Sequence, residues 1–287
     1  MTRERVLAAF VVVAPAIALI TATALWANGI GPSRTDLIVL AVGTLATMAG
    51  VELGYHRYFA HRAFTAAPVL VWLLGGLGSS AFLGPVMWWA TTHRRHHSVT
   101  DREGDPHSPH WPHGGTRGFV HAHAGWLFHS EYTGMTVTAG EVKDLWQNSR
   151  TITLHRTYLV WGALGLAIPT LIGFAAGGAR GALTGFLWGG MVRLFLVSHL
   201  VWAVNSFGHL LGGPARLAHS GQARNSVWLA LPAFGGGNHA NHHDAPRVYT
   251  TRVRWWQIDI GGMLLRGLSM LGLVSDLKRP VSKVSSD

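Results

Sequence analysis

The chain contains no cysteine. Disulfides, thiolate-held zinc, iron–sulfur clusters and a fused rubredoxin are therefore all excluded. Charge is scarce as well: Asp, Glu, Lys and Arg make up 13% of the residues, against about a quarter in an average soluble domain. Acidic residues are the scarcer sign, 13 against 23 basic ones, for a formal net charge of +10. There is no internal repeat, and low complexity is confined to the Pro/His/Gly-rich stretch 105–118. A chain so short of charge has little surface to offer to water.

In place of charge it has apolar runs. A helix needs roughly 20 apolar residues to cross a bilayer, and residues 6–27, 37–53, 158–176 and 183–204 approach or reach that length. The second is short, and the fourth carries Arg193. Residues 68–90 are apolar too, but Gly and Pro break them, so they predict an interfacial or re-entrant helix pair rather than a span. Arg3 and Arg5 precede the first run as in a signal peptide, yet the run is too long for one and a second span soon follows. Four spans place both termini and the segment 55–157 on one side of the membrane. The two opposite loops, 28–36 and 177–181, carry one arginine each, so the positive-inside rule makes the other side cytoplasmic. Basic charge flanking apolar spans suits anionic headgroups or an acidic electron-transfer partner. No nucleic-acid motif accompanies it, and no nucleic-acid partner is expected.

Nine of the 18 histidines fall in four tight groups beside these runs: His56 and His61; His93, His96 and His97; His209; and His239, His242 and His243. Positions i, i+3 and i+4 share one face of a helix, so each HxxHH offers converging imidazoles. His56 and His61 are five apart, about 140° around an α-helix; either they face different metals or the helix ends between them. Asn205 lies one turn before His209. Neutral imidazole suits iron, zinc and copper. Nine such ligands exceed what one zinc ion uses, four in a structural site and three plus water in a catalytic one, so the set predicts two metal ions. A transporter would place its ligands near the midplane of broken helices; these sit at one face. The remaining histidines, 107, 110, 113, 121, 123, 129, 155, 199 and 219, are expected to be loop or interfacial residues. Glu52, one turn before His56, is expected either to orient a ligand imidazole or to pair with Arg57. Arg193 is expected to face the protein interior, because mid-span exposure to lipid costs about 3 kcal/mol or more.

The order HxxxxH, HxxHH, Asn-Ser-x-x-His, HxxHH resembles the membrane fatty acyl desaturases of the stearoyl-CoA desaturase-like, Δ9 type, over roughly residues 36–275. Asp105-Pro106-His107, Arg117-Gly118-Phe119, His123-Ala124-Gly125-Trp126-Leu127 and the placing of Arg193 and Trp202 before Asn205 are similar to that family as well. Trp255-Trp256-Gln257-Ile258-Asp259 resembles its bacterial members. The resemblance implies an all-α integral membrane protein of one domain, with four transmembrane helices under a cytoplasmic helical cap formed by 55–157 and 205–287. It implies two non-haem irons held by the nine histidines, Asn205 reaching one of them through water, and an apolar tunnel; Asp105, Arg193 and Trp202 would support the ligands or line that tunnel. In such enzymes O2 and two external electrons turn two adjacent methylenes of a long acyl chain into a cis double bond, at Δ9 in this type.

The electrons imply a separate ferredoxin or cytochrome b5-type donor, since the nearest string to a haem-binding His-Pro-Gly-Gly, residues 112–115, has the wrong order. A bacterial cell membrane is the expected location. Where acyl-CoA members carry Arg-Asp before the second box this chain has Thr91-Thr92, and the Arg-Lys after the Trp126 segment is missing. Gly236 stands where the family usually has glutamate. A lipid-bound chain is therefore the expected substrate, with CoA and carrier-protein thioesters as alternatives. A di-iron membrane hydroxylase is the nearest rival activity.

Overall fold

The computed structural model describes residues 3–129, 131, 140–213 and 221–280. His219 lies outside them. Among the described residues three helices are long and apolar enough to cross a membrane: Arg5–Ala27, Arg34–Ala60 and Tyr158–Leu210. Their large apolar side chains point outward, among them Ile17, Ile20, Val42, Leu171 and Phe174. So large an apolar outer surface fits lipid rather than water.

The first helix, α1 (Arg3–Ala27), is followed by α2 (Arg34–Ala49). Ser33 and Asp36 close a reciprocal capping box at the start of α2, satisfying donors that a helix N-terminus leaves open. The helix does not stop at Ala49. It runs on as a π-helix over Gly50–Ala60, a rare geometry that often marks functional sites. The stretch expected as a helix pair is one: α3 (Pro68–Ser79) and α4 (Val86–Ser98). Next come α5 (Gly115–His123), which packs against the Arg193–Leu210 helix, and α6 (Ser149–Arg156), which packs on α3 and α4.

The expected third and fourth apolar runs are parts of one continuous helical stretch of 53 residues. Straight, it would extend roughly 80 Å at 1.5 Å per residue, far beyond the roughly 30 Å of a hydrocarbon core. It folds back instead. Within α7 (Tyr158–Thr184), Gly177 and Gly178 leave helical geometry, and Gly178, with φ 59 and ψ −146, occupies backbone space that essentially only glycine visits. The returning arm is a π-helix over Gly185–Val192 and then α8 (Arg193–Leu210). Glycine also lets the arms touch: a Cβ on Gly173 would lie 2.1 Å from the Gly181 carbonyl, and one on Gly185 2.5 Å from that of Pro169. The loop expected at 177–181 thus shrinks to a two-glycine break.

The one-turn helix Val227–Ala230, then α9 (His239–Asp244) and α10 (Ile260–Met270), complete the chain. The fold is not purely helical. Thr65 and Ala66 pair antiparallel with Ser275 and Val274, tying the segment after the first histidine box to the C-terminal end.

Arg193 is 3% exposed and meets no carboxylate among the described residues. Its guanidinium donates to the Gly189, Gly165 and Ser80 carbonyls at 3.0, 3.0 and 3.3 Å and to Thr47 Oγ1 at 2.7 Å. It pins α2, both arms of the hairpin and the loop after α3 together, away from the histidines. Arg193→Leu is expected to cost about 3–4 kcal/mol, roughly 1 kcal/mol per hydrogen bond lost. The check is the Tm of the purified protein in detergent, and an unchanged Tm contradicts this role.

Candidate metal centre

Four elements deliver the nine histidines to one place. The π-helix carries His56 and, at its end, His61. Its i→i+5 bonding decides their fate: the His61 amide donates to the His56 carbonyl at 3.1 Å, and the two rings meet edge-on with centroids 4.9 Å apart. Of the two expected arrangements, the helix does end between them, at Ala60, while their nitrogens join one set rather than two. The last turns of α4 carry His93, His96 and His97, α8 ends on His209, and α9 presents His239, His242 and His243.

The ring nitrogens converge as two sets, His56, His61, His93, His97 and His242 in one and His96, His209, His239 and His243 in the other. In the first, Nε2–Nε2 separations are 2.9 Å (His56–His242), 2.8 Å (His61–His93), 3.1 Å (His93–His97) and 3.0 Å (His97–His242). In the second they are 3.0 Å (His209–His239), 3.1 Å (His239–His243) and 3.2 Å (His96–His243). Taken singly these could be hydrogen bonds; the outer nitrogens say otherwise. His56, His96 and His209 each turn Nδ1 to a carboxylate oxygen, of Glu52 at 3.0 Å, Asp105 at 2.9 Å and Asp101 at 3.0 Å. A carboxylate only accepts, so Nδ1 holds a proton and Nε2 is the nitrogen left to offer a lone pair to a metal.

Burial first, and then the neighbouring histidines, hold His61, His93, His97, His239, His242 and His243 well below the ordinary imidazole value. Neutral rings aiming lone pairs at one another are repulsive unless a cation lies between them. The spacing fits one. With metal–nitrogen bonds of about 2.1 Å, adjacent ligands of an octahedron stand roughly 3.0 Å apart, whereas those of a tetrahedron stand roughly 3.4 Å apart. Both sets can hold a metal.

The outer layer explains other residues. Glu52 touches both neighbours named for it, since Oε2 faces His56 while Oε1 accepts from Arg57 Nε at 3.1 Å. Asp105 takes the backbone amides of Asp101 and His107 as well as His96; burial pushes its carboxyl up, but His96 outweighs that and brings it down to about 2. His107, expected on a loop surface, is buried with its ring 4.3 Å from that of His96, and burial holds it at about 3. The turn through Asp105 tucks it under α4. His121 is buried too, whereas His113 and His129 are exposed. The third box is braced by the segment that follows it: Asn241 Nδ2 donates to Gln257 Oε1 at 3.0 Å, and Asn238 Nδ2 to the Ile258 carbonyl at 2.8 Å.

Asp101 was missed. It lies just past the second box, accepts from His209 Nδ1, Ser108 and the Gln222 amide, and holds a left-handed φ of 59 that an Asp tolerates. Its only sequence signal is being an acid close behind HxxHH in an acid-poor chain.

A cavity of about 610 Å3 opens beside the first set. Its walls are apolar and aromatic, with Phe10, Leu83, Trp88, Trp89, Trp126 and Trp202, and His93, His107 and Asn205 stand on them. Trp202 also packs its ring 5.1 Å from that of His199.

Residues 35–260 match the model of the fatty acid desaturase family. The chain is 41% identical over 283 residues to the hex-5-enoyl-[acyl-carrier protein] acetylenase of Moorena producens, covering 95% of this chain and 85% of that one. It is 32% identical over 249 residues to a probable acyl-CoA desaturase of Schizosaccharomyces pombe, covering 86% of this chain and half of that one. To the sn-1 stearoyl-lipid 9-desaturase of Synechocystis it is 33% identical over 232 residues, covering 80% of this chain and 68% of that one. A histidine set able to hold metal, beside an apolar cavity, under helices long enough to cross a membrane, agrees with these matches: the chain belongs to the fatty acid desaturase family of oxidoreductases.

Proposed function

We propose that the chain holds two non-haem irons in its two histidine sets and inserts a cis double bond, at Δ9, into a saturated long acyl chain lying in the cavity. The observation that carries this is the cavity itself, an apolar space that ends against His93 and Asn205. Its volume falls within the roughly 300–1,000 Å3 of ligand pockets. The irons, when bound, supply the oxidation by O2, and the balance is two methylenes, O2, two electrons and two protons giving one double bond and two waters. The protein binds and orients. Glu52, Asp101 and Asp105 hold the Nδ1 protons and so keep Nε2 lone pairs on the metal side. Asn205, one turn before His209 and on the cavity wall, would reach one of the two irons through water.

Four membrane crossings follow from α1, α2 and the two arms of the glycine hairpin, with the histidines at their common end. The positive-inside rule makes that end cytoplasmic, in a bacterial cell membrane, with residues 55–157 and 205–287 as its cap. Electrons come from a separate acidic ferredoxin or cytochrome b5-type protein docking on basic residues of this face.

The carrier of the acyl chain is a lipid or a carrier protein rather than CoA. Arg94 grips the Asp144 carboxylate at 2.7 and 2.9 Å, and Arg95 meets Glu141 at 3.0 Å, so both are engaged inside the protein. Thr91 and Thr92 donate to carbonyls of their own helix. Arg156 on the cavity wall and the exposed Arg102 and Arg117 are then cations left for the phosphates of CoA. The carrier-protein reading is favoured by the likeness to an acetylenase of an acyl-carrier-bound chain.

Expression in a host of known lipid profile, followed by chromatography of total acyl chains, should reveal new cis-monounsaturated products. Hydroxylated chains in their place would establish the hydroxylase instead. Purified enzyme supplied with electrons and labelled phospholipid, acyl-carrier and acyl-CoA substrates should turn acyl-CoA over least, and a clear preference for it defeats the carrier assignment.

A further inference from the structure

A second, much smaller void of about 10 Å3, room for about one water, lies deeper than the main cavity. Phe10, Val11 and Phe82 line both spaces. The order along the returning arm, through α8 and back into the π-helix before it, gives their relation. Asn205, Trp202 and Val201 face the large cavity, while Ser198, Leu194 and then Met191 face the small one. From Asn205 to Leu194 is roughly 16 Å along the helix, so the small void continues the large one away from the histidines. On α1, Leu7 and Ala8 line only the first and Pro15 only the second. The partition is made of three side chains, two of them aromatic: Phe10 and Val11 come from α1 and Phe82 from the loop after α3.

Phe82 is held there against its own backbone preference. Its φ is 56, the left-handed region in which a bulky residue is strained. The loop is fastened on every side. Ser80 offers its carbonyl to Arg193, Tyr55 Oη donates to the Gly84 carbonyl at 3.1 Å, and the Gly84 amide donates to Tyr158 Oη at 3.1 Å. The ring lies edge-on to Tyr158 at 6.1 Å and presses onto α7 where there is no side chain, since a Cβ on Gly162 would sit 2.5 Å from Phe82 Cζ. A strained backbone, a fastened loop and a glycine notch all serve one placement of one ring. Such strain persists where the surroundings over-determine it, and it clusters at ligand sites.

We propose that Phe82 is the chain-length stop of the acyl cavity, setting how many carbons fit beyond the histidines. The proposal rests on the acyl reading above. Removing the ring joins the two spaces and admits longer chains. Filling the notch at Gly162 tips the ring into the cavity and shortens the accepted chain.

The test needs no turnover. Trp88, Trp89, Trp126 and Trp202 line the cavity, so a series of saturated acids from hexanoic to octadecanoic, each brominated at its terminal carbon, should quench tryptophan emission when bound by the full chain in nanodiscs. The native protein should bind up to a length limit. Phe82→Gly, which also relieves the left-handed backbone, should raise that limit by at least one member of the series, and Gly162→Ala should lower it. Phe82→Leu, a smaller perturbation, should move the limit the same way as glycine if the glycine variant does not fold. A native length limit that neither Phe82 variant moves overturns the stop while leaving the acyl reading intact. A native protein quenched by no chain of any length overturns the acyl reading and the stop with it.

Discussion

Alanine in place of His97 should abolish acyl oxidation and empty the five-histidine set of its iron while the four-histidine set keeps its own. His97 Nε2 stands 3.1 Å from that of His93 and 3.0 Å from that of His242, closing one corner of the set. The nearest replacement ring is His243, stacked on His97 at 4.3 Å, but its Nε2 is already turned to His239 and His96. Losing an outer hydrogen-bond partner typically lowers metal affinity about 10–100-fold; losing the ligand itself should exceed that. Elemental analysis of the purified variant should find half the iron of the unmodified chain, and product chromatography should find no unsaturated chain. Full iron or surviving turnover in this variant defeats the assignment of the set, as would zinc at one ion per unmodified chain.

The two histidine sets were legible in the sequence only as a pool. Helical spacing correctly put His93, His96 and His97 on one side of α4, but it gave no hint that His93 and His97 would join one set and His96 the other. That division depends on how α9 comes in from residues 239–244 and inserts His242 on one side and His243 on the other. Sequence distance hides such geometry. The π-helix was invisible for a different reason: i→i+5 bonding has no residue signature, so the spacing of His56 and His61 looked divergent. Asp101 was invisible because a single acid in a turn is ordinary, and only the His209 ring packed against it gives it a role. The apolar runs, by contrast, were legible at their starts, because length and hydrophobicity alone specify them, but the helices of the second and fourth run on to Ala60 and Leu210, into the polar histidine boxes. The reading erred again at Gly177 and Gly178, whose freedom to leave helical geometry replaced an expected loop by a sharp reversal.

Arg57→Leu should destabilise the protein by about 3–5 kcal/mol, the usual cost of breaking a buried ion pair by removing one partner. Arg57 is 2% exposed and every part of its guanidinium is used. Nε and Nη2 each donate to Glu52 Oε1 at 3.1 Å. Nη2 and Nη1 grip Asp259 Oδ1 and Oδ2 at 2.8 and 3.2 Å, and the Tyr249 and Phe234 carbonyls take the rest. Leucine would leave two carboxylates buried with no cation between them. The damage would spread in both directions. Glu52 accepts the hydrogen bond from His56 Nδ1, so its release loosens a candidate metal ligand. Asp259 caps α10 through the Gly262 amide at 2.9 Å and holds Thr250 and Thr251, in the segment that braces the third box. The loss is large against the roughly 5–15 kcal/mol of total stability a domain possesses. Arg57→Lys should be intermediate, since one ammonium keeps the charge but lacks the planar fork that engages both carboxylates together. Replacing Asp259 by leucine in the Arg57→Leu background should recover part of the loss, because one of the two stranded charges is then gone. Thermal unfolding in detergent, read beside iron content, separates these outcomes: the single leucine variant should lose both, the lysine variant mainly stability. A leucine variant with native Tm and native iron would mean that Glu52 and Asp259 do not depend on this guanidinium.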